Sequence, residues 1–175
     1  MDIKRLLYDE SGESLIELTM VMVVMILFGA TIYTLILAGS SAQRKIIEEK
    51  NAQSEARVAS SYVSVRLRQN DRKGAVVIVP TKEYGNAILI KGGGGLETLD
   101  RWILWSDGEL REFIVDEGQE PLNEPGMYSR VASVKGFDAR AREDGMVISA
   151  VSYDCGGETR EITSEIYVRS GLGAP

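Results

Sequence analysis

The chain has 175 residues, 44% of them apolar and 26% charged, with a formal net charge of −6 and a mean hydropathy of −0.07, a size that holds one modest domain plus an appendage. The acidic balance lacks the basic footprint that displaces counterions from phosphates, so no nucleic acid is expected as a partner. There is no histidine, which removes the commonest general base and metal ligand, and the single cysteine, Cys155, permits no disulfide within the chain.

The average hydropathy hides an asymmetry, because nearly all the continuous hydrophobicity lies between Leu15 and Leu37. Residues 18–38 read LTMVMVVMILFGATIYTLILA with no charge among them. As a helix this run spans about 30 Å, the thickness of a bilayer's hydrocarbon core. In lipid a single segment must satisfy its own backbone hydrogen bonds, so it must be helical. The run exceeds the roughly 7–15 residues of a signal-peptide core, and Ala38-Gly39-Ser40-Ser41 is only a weak approach to a cleavage site, so an anchor retained in the chain is expected. One residue does not fit a plain anchor. Glu17 stands at the start of the apolar run, where a carboxylate is costly unless solvated or paired, and is a functional-site candidate for that reason.

The residues ahead of it, Ser11-Gly12-Glu13-Ser14-Leu15-Ile16-Glu17, followed by the long apolar helix, resemble the N-terminus of type IV prepilins and pseudopilins. The resemblance implies cleavage by a prepilin peptidase after Gly12, which makes Glu13 the first mature residue and Glu17 the family's glutamate at the fifth mature position. Leu15 and Ile16 match the family's apolar pair, and the short leader carries Lys4 and Arg5. Glu13 departs from the pattern, which places Phe or another apolar residue there and methylates its amine. The acidic Asp9 and Glu10, with Ser14 at the second mature position, are similar to pseudopilins of tight-adherence systems. Further implied partners are other pilin or pseudopilin subunits, an inner-membrane assembly platform and membrane lipid. Cleavage would create an α-amine on Glu13, and the Glu17 carboxylate of a neighbouring subunit could pair with it, since an unpaired buried charge is strongly destabilising. Basic residues fall on both sides of the span, Lys4 and Arg5 before it and Arg44, Lys45, Lys50 and Arg57 after it. A positive-inside count therefore does not favour a cytoplasmic N-terminus; the resemblance does.

From Ser40 to about Asn70 the pattern continues as a polar helix. Ala52, Ala56, Ala59, Val63 and Leu67 recur at spacings of four and three, one apolar stripe bordered by Tyr62, with Glu49, Gln53, Glu55, Arg57 and Ser60 opposite. The helix is expected to run from about Ser14 to Asn70.

Short strand-like runs follow: 75–79, ending at Pro80; 87–90; 98–105, joined through Ser106-Asp107-Gly108 to 109–115; one strand over 131–139; and 145–153 and 159–168 around Asp154-Cys155-Gly156-Gly157. Asp-Gly between two such runs predicts a hairpin, and successive hairpins predict an antiparallel sheet. Ile103 and Trp105 point to one face and Trp102 and Leu104 to the other, so that strand is central. The expected fold class is α+β: a long N-terminal helix, half transmembrane and half amphipathic, packed on a small antiparallel sheet. The expected boundaries are a leader over 1–12, a membrane and assembly helix over 13–39, its amphipathic extension over 40–72 and a β head over 73–175. The order of helix, meander and closing hairpin is similar to minor pseudopilins and competence-type minor pilins.

Other features give no chemistry. Gly92–Gly95 lacks the Lys-Ser/Thr of a phosphate loop, the acidic stretch 116–124 matches no calcium loop, and neither Cys155 nor any serine has a histidine to activate it. The chain is expected to be a non-enzymatic structural subunit without a cofactor, metal or catalytic residue, its head outside the cell membrane and, after assembly, on a surface filament. The alternative is an unprocessed, signal-anchored extracytoplasmic module that binds or senses.

Overall fold

The computed structural model describes residues 3–82, 84–92, 99–122 and 124–173, with side chains from Leu15 onward. One helix, α1 (Ile3–Gln69), precedes eight strands: β1 (Val76–Thr81), β2 (Gly85–Ile90), β3 (Leu99–Ser106), β4 (Glu109–Asp116), β5 (Tyr128–Ser133), β6 (Gly136–Ala141), β7 (Met146–Cys155) and β8 (Glu158–Tyr167). Contacts divide the chain into two units, Met1–Ile47 and Glu48–Pro175. The first unit is helix. The second combines the last turns of α1 with all the strands, and the fold class is the expected α+β.

The helix starts earlier than expected, at Ile3 rather than near Ser14, because the leader has no proline and its Leu6 and Leu7 are good helix formers. The strands form two antiparallel sheets rather than one, a five-stranded sheet ordered β1-β2-β3-β4-β5 and a three-stranded sheet ordered β6-β7-β8. The expected strand over 131–139 is where they divide. The Val134 amide donates to Gly108 O in the first sheet (3.0 Å), and the next amide, Lys135, donates to Ser152 O in the second (2.8 Å). A continuous run of β-forming side chains thus crosses from one sheet to the other within two residues.

One core joins all three layers. The apolar stripe of α1 buries Ala56, Ala59, Val63 and Leu67 against Ile88, Ile103 and Leu110 of the first sheet and Val147, Val151 and Ile166 of the second. The opposite face of the first sheet carries its own cluster, with Val77, Leu89, Trp102, Leu104 and Phe113 buried. The alternation along β3 is the predicted one: Ile103 and Trp105 face the helix side and Trp102 and Leu104 the other. A bulge in β5 allows that strand to serve both faces. Leu110 pairs with Ala132 but Arg111 pairs with Arg130, so Val131 is extra. Without that residue, Ala132 and Tyr128 would share a face; with it, Ala132 enters the helix-side core and Tyr128 reaches Phe113 on the other side, ring centroids 5.5 Å apart.

Two other expectations are corrected. β1 passes through Pro80 to Thr81 instead of stopping before it. Ala75 O accepts inward from Lys91 N, whereas Val76 O accepts from Gly173 N on the outer side, so even-numbered residues of β1 point their backbone groups away from β2. Pro80 lies on that outer register of an edge strand, where its missing N–H costs no ladder bond. Ser60, expected on the solvated side of α1, is buried and its hydroxyl lies 2.6 Å from that of Ser164 on β8. The stripe is therefore wider than its apolar residues and includes a hydroxyl that is satisfied across the interface.

A polar cluster fixes the register of α1 on β4. Arg66 donates to Tyr62 Oη (2.9 and 3.0 Å) and to Glu112 Oε2 (3.4 Å), while Glu112 Oε1 lies 3.2 Å from Arg66 Nε and 3.7 Å from Arg101 Nη1. Burial, reinforced by the Glu112 carboxylate, pushes the Tyr62 phenol above its ordinary value. Replacing buried Glu112 by Ala leaves Arg66 and Tyr62 without this partner. Glu112→Ala is expected to lower the unfolding free energy by about 1.5–3 kcal/mol, the range for hydrogen bonds to charged groups, as measured by denaturant titration.

The C-terminal segment is held to the end of α1. Asp71 accepts from the amides of Ser170 (2.9 Å) and Arg169 (3.2 Å), and the Ser170 hydroxyl donates to Asp71 O (2.9 Å). The Ser170 amide holds the Asp71 carboxyl below its usual range. A depressed carboxyl stabilises the fold above its unfolded value and loses that contribution as pH falls through the folded one. Amide exchange at Arg169 and Ser170 is therefore expected to speed up below the ordinary carboxylate range, and Asp71→Asn is expected to remove that pH dependence.

Candidate functional site

The site read from the sequence lies in the first unit. α1 passes without a break through Gly12, Glu13 and Glu17. The side chains of residues before Leu15 lie outside the described residues, so only the backbone positions of Gly12 and Glu13 are defined. Positions 13 and 17 are four apart on a helix and fall on one face, one turn from each other.

From Leu15 to Leu37 every side chain is exposed, and this stretch includes the segment with mean hydropathy of 2.5. An exposed run of twenty or so apolar residues is disfavoured in water and suits lipid or the apolar faces of other helices. Its threonine hydroxyls, and that of Ser41 just beyond it, are satisfied locally. Thr19 donates to Ile16 O (2.8 Å), Thr31 to Phe28 O (2.7 Å), Thr34 to Thr31 O (2.8 Å) and Ser41 to Leu37 O (2.9 Å). Each of these four hydroxyls turns back onto its own helix, the arrangement that suits a solvent without hydrogen-bond partners. Glu17 is different: it is exposed, flanked by Ile16 and Leu18, and the sole acidic or basic residue between Leu15 and Gln43. The segment is a candidate membrane anchor with one carboxylate near its N-terminal boundary.

In the second unit the features set aside on sequence are structural. Cys155 is half-buried at the end of β7, paired with Glu158 rather than in the turn itself; the turn is Gly156-Gly157, both at positive φ (68° and 88°). Sequence reasoning missed Asp100. Its buried carboxylate accepts from the Gly92 amide (2.9 Å) and the Gly118 amide (3.0 Å), fastening two loops to the end of β3. Arg111, likewise unanticipated, lies over the Tyr128 ring (4.2 Å to the centroid) and pairs with Asp107 (2.8 Å) and Glu109 (3.0 Å) across the β3–β4 turn. The Gly92 and Gly118 amides lie in separate loops and Tyr128 on the neighbouring strand, so local pattern could not reveal those contacts. Among the described residues, no three Asp, Glu or Cys side chains converge as a metal site would require.

The chain is thus an α+β protein in which an exposed apolar N-terminal helix continues into a segment packed on two antiparallel sheets. It belongs to the family described as Domain of unknown function (DUF4860), whose model matches residues 54–153, more than half of the chain. No curated protein and no solved structure matches it.

The membrane reading has a direct test. Met25 is exposed near the centre of the apolar run. Met25→Arg is expected to cost about 2.5–3.5 kcal/mol of insertion and to move the protein out of the alkali-resistant membrane fraction; Met25→Leu is expected to leave it there.

Proposed function

We propose that the chain is a non-enzymatic structural subunit, a minor pilin or pseudopilin, of a type IV pilus, tight-adherence or secretion and competence filament, and that it is cut after Gly12. The observation that carries this reading is the carboxylate of Glu17, five residues beyond Gly12, at the entrance to an apolar helix that holds no other acidic or basic residue before Arg44 and whose threonine hydroxyls are satisfied by its own backbone. A membrane anchor has no use for a charge there, whereas an assembling helix does. Hydrolysis of the Gly12–Glu13 peptide bond releases the leader and leaves an α-amine on Glu13. That cation, carried into an apolar helix bundle, needs a counter-ion, and Glu17 of an adjacent subunit supplies it and sets the axial offset between subunits.

The other elements fit this role. The apolar half of α1 stays in membrane lipid until the assembly platform extracts it, with the N-terminus cytoplasmic and the sheets on the far side. Once packed among other subunits, the same surface exchanges lipid for neighbouring helices. The second unit, with eight strands in two sheets and long connections, suits a minor component better than a repeated shaft.

Mass spectrometry of the chain expressed with and without a prepilin peptidase tests the reading. The expected result is a mature N-terminus at Glu13 only when the peptidase is present, with Gly12→Leu blocking it. Glu17→Ala is expected to leave cleavage intact and to reduce recovery in sheared filaments by at least about tenfold, the factor that 1.4 kcal/mol of lost pairing produces. An intact leader in every case, with Glu17→Ala behaving as the parent, would leave an unprocessed, signal-anchored binding or sensing module as the better account.

A further inference from the structure

The second unit carries two unsatisfied surfaces of opposite charge. The first is the outward side of α1, opposite the buried stripe. Val58 and Val65 are each half exposed there, Tyr62 borders them, and Lys50, Arg57 and Arg68 make no ion pair with any described residue. Between Lys50 and Arg68 the single carboxylate is Glu55, which is turned away to accept from Ser133 N (2.8 Å). This side of the helix is therefore apolar and cationic.

The second is a depression at the end of the β3–β4 ribbon. Beyond α1, the described chain exposes five large apolar side chains, and four of them, Leu99, Ile114, Leu122 and Met127, line this one depression. Its margin is acidic. From Ile114 to Met127 the sequence holds Asp116, Glu117, Glu120 and Glu124 and no lysine or arginine, and none of the four pairs with a cation among the described residues. Clustered apolar exposure rimmed by charge marks an interaction site rather than ordinary surface.

Each surface supplies what the other lacks, and neither complements itself, since two copies of the helix side or two copies of the depression would bring like charges together. We propose that the outward side of α1 in one subunit, around Val58 and Val65, docks in the Leu99–Met127 depression of a second copy, with Arg57 and Arg68 against Asp116 and Glu120. A contact between two different patches is heterologous, so each subunit retains one free donor and one free acceptor, and adjacent copies within a filament form a short run instead of closing into a two-fold dimer. The contact rests on the reading of the chain as an assembling subunit and gives it a lateral interface separate from the Glu13–Glu17 pair.

The test uses the full chain in membranes, in a Cys155→Ser background, with two differently tagged copies expressed together. One carries Val58→Cys and the other Met127→Cys. Mild oxidation is expected to give a disulfide dimer containing both tags, and a chain carrying both cysteines is expected to give a ladder beyond the dimer. Arg57→Glu is expected to lower the mixed dimer about tenfold, equivalent to 1.4 kcal/mol, and Glu120→Lys in the other copy to restore it, which also shows that the variants fold. No mixed dimer, a 58–58 dimer of equal yield, failure of the reversed pair to rescue, or linkage of position 127 to a different protein overturns the proposal. The mature N-terminus is read from the same samples. Processed chain without the 58–127 link sinks this contact alone, whereas the link formed in chain that keeps its leader sinks the processing alone.

Discussion

The second unit depends on one line of small and medium side chains along α1. On the helix side, the two sheets share one core with α1. Ala56, Ala59, Val63 and Leu67 close the space between them, so that residues from all eight strands and the helix share a continuous core or flank it. Small residues at positions 56, 59 and 60 matter as much as apolar ones, because they let the helix come near enough to β8 for the Ser60 and Ser164 hydroxyls to meet. The same requirement explains the polar cluster on β4. Once α1 approaches this closely, Glu112 is removed from water, and the arginines at 66 and 101 are what make its burial tolerable.

The first unit is governed by the opposite circumstance, a helix with no protein around it. Along its apolar run, from Leu18 onward, threonine hydroxyls fold back on the backbone and acidic and basic residues are excluded for more than twenty positions, while the Glu17 carboxylate sits at the edge. A single element thus obeys two rules along its length, self-sufficiency in its apolar part and complementarity to the sheets in its later turns. This division makes the first part of α1 a candidate anchor and the later part a structural strut.

Much of this was legible in the sequence. The 4-3 spacing from Ala52 to Leu67 identified the buried stripe, and Asp107-Gly108, with φ of 52° and 80°, forms the tight turn that its composition demands. What escaped detection was set by distant partners. Pro80 looks like a strand terminator until β1 is known to be an edge strand. Residues 131–139 read as one strand because nothing in their side chains encodes a transfer between sheets. Ser60, Asp100 and Glu112 look like surface residues until Ser164, the Gly92 and Gly118 amides, and Arg66 are brought to them. The candidate site divides in the same way. The positions of Gly12, Glu13 and Glu17 come from spacing and resemblance alone, while the return of the threonine hydroxyls to the helix backbone required the structure.

The seal on the outer side of β1 bears on how the protein is made. Gly74 N and Val76 O find their partners in Gly171 and Gly173, nearly a hundred residues later, and Gly173 passes so close to Gly74 that a methyl group there would meet its carbonyl oxygen at 2.5 Å. A chain emerging from its N-terminus, whether from a ribosome or through a translocation pore, has the whole meander available before this fastening arrives. Throughout that interval a strand rim with open hydrogen-bonding groups faces any nearby polypeptide. Synthesis is thus a stage at which this rim stands open to mispairing, until the final glycines close it.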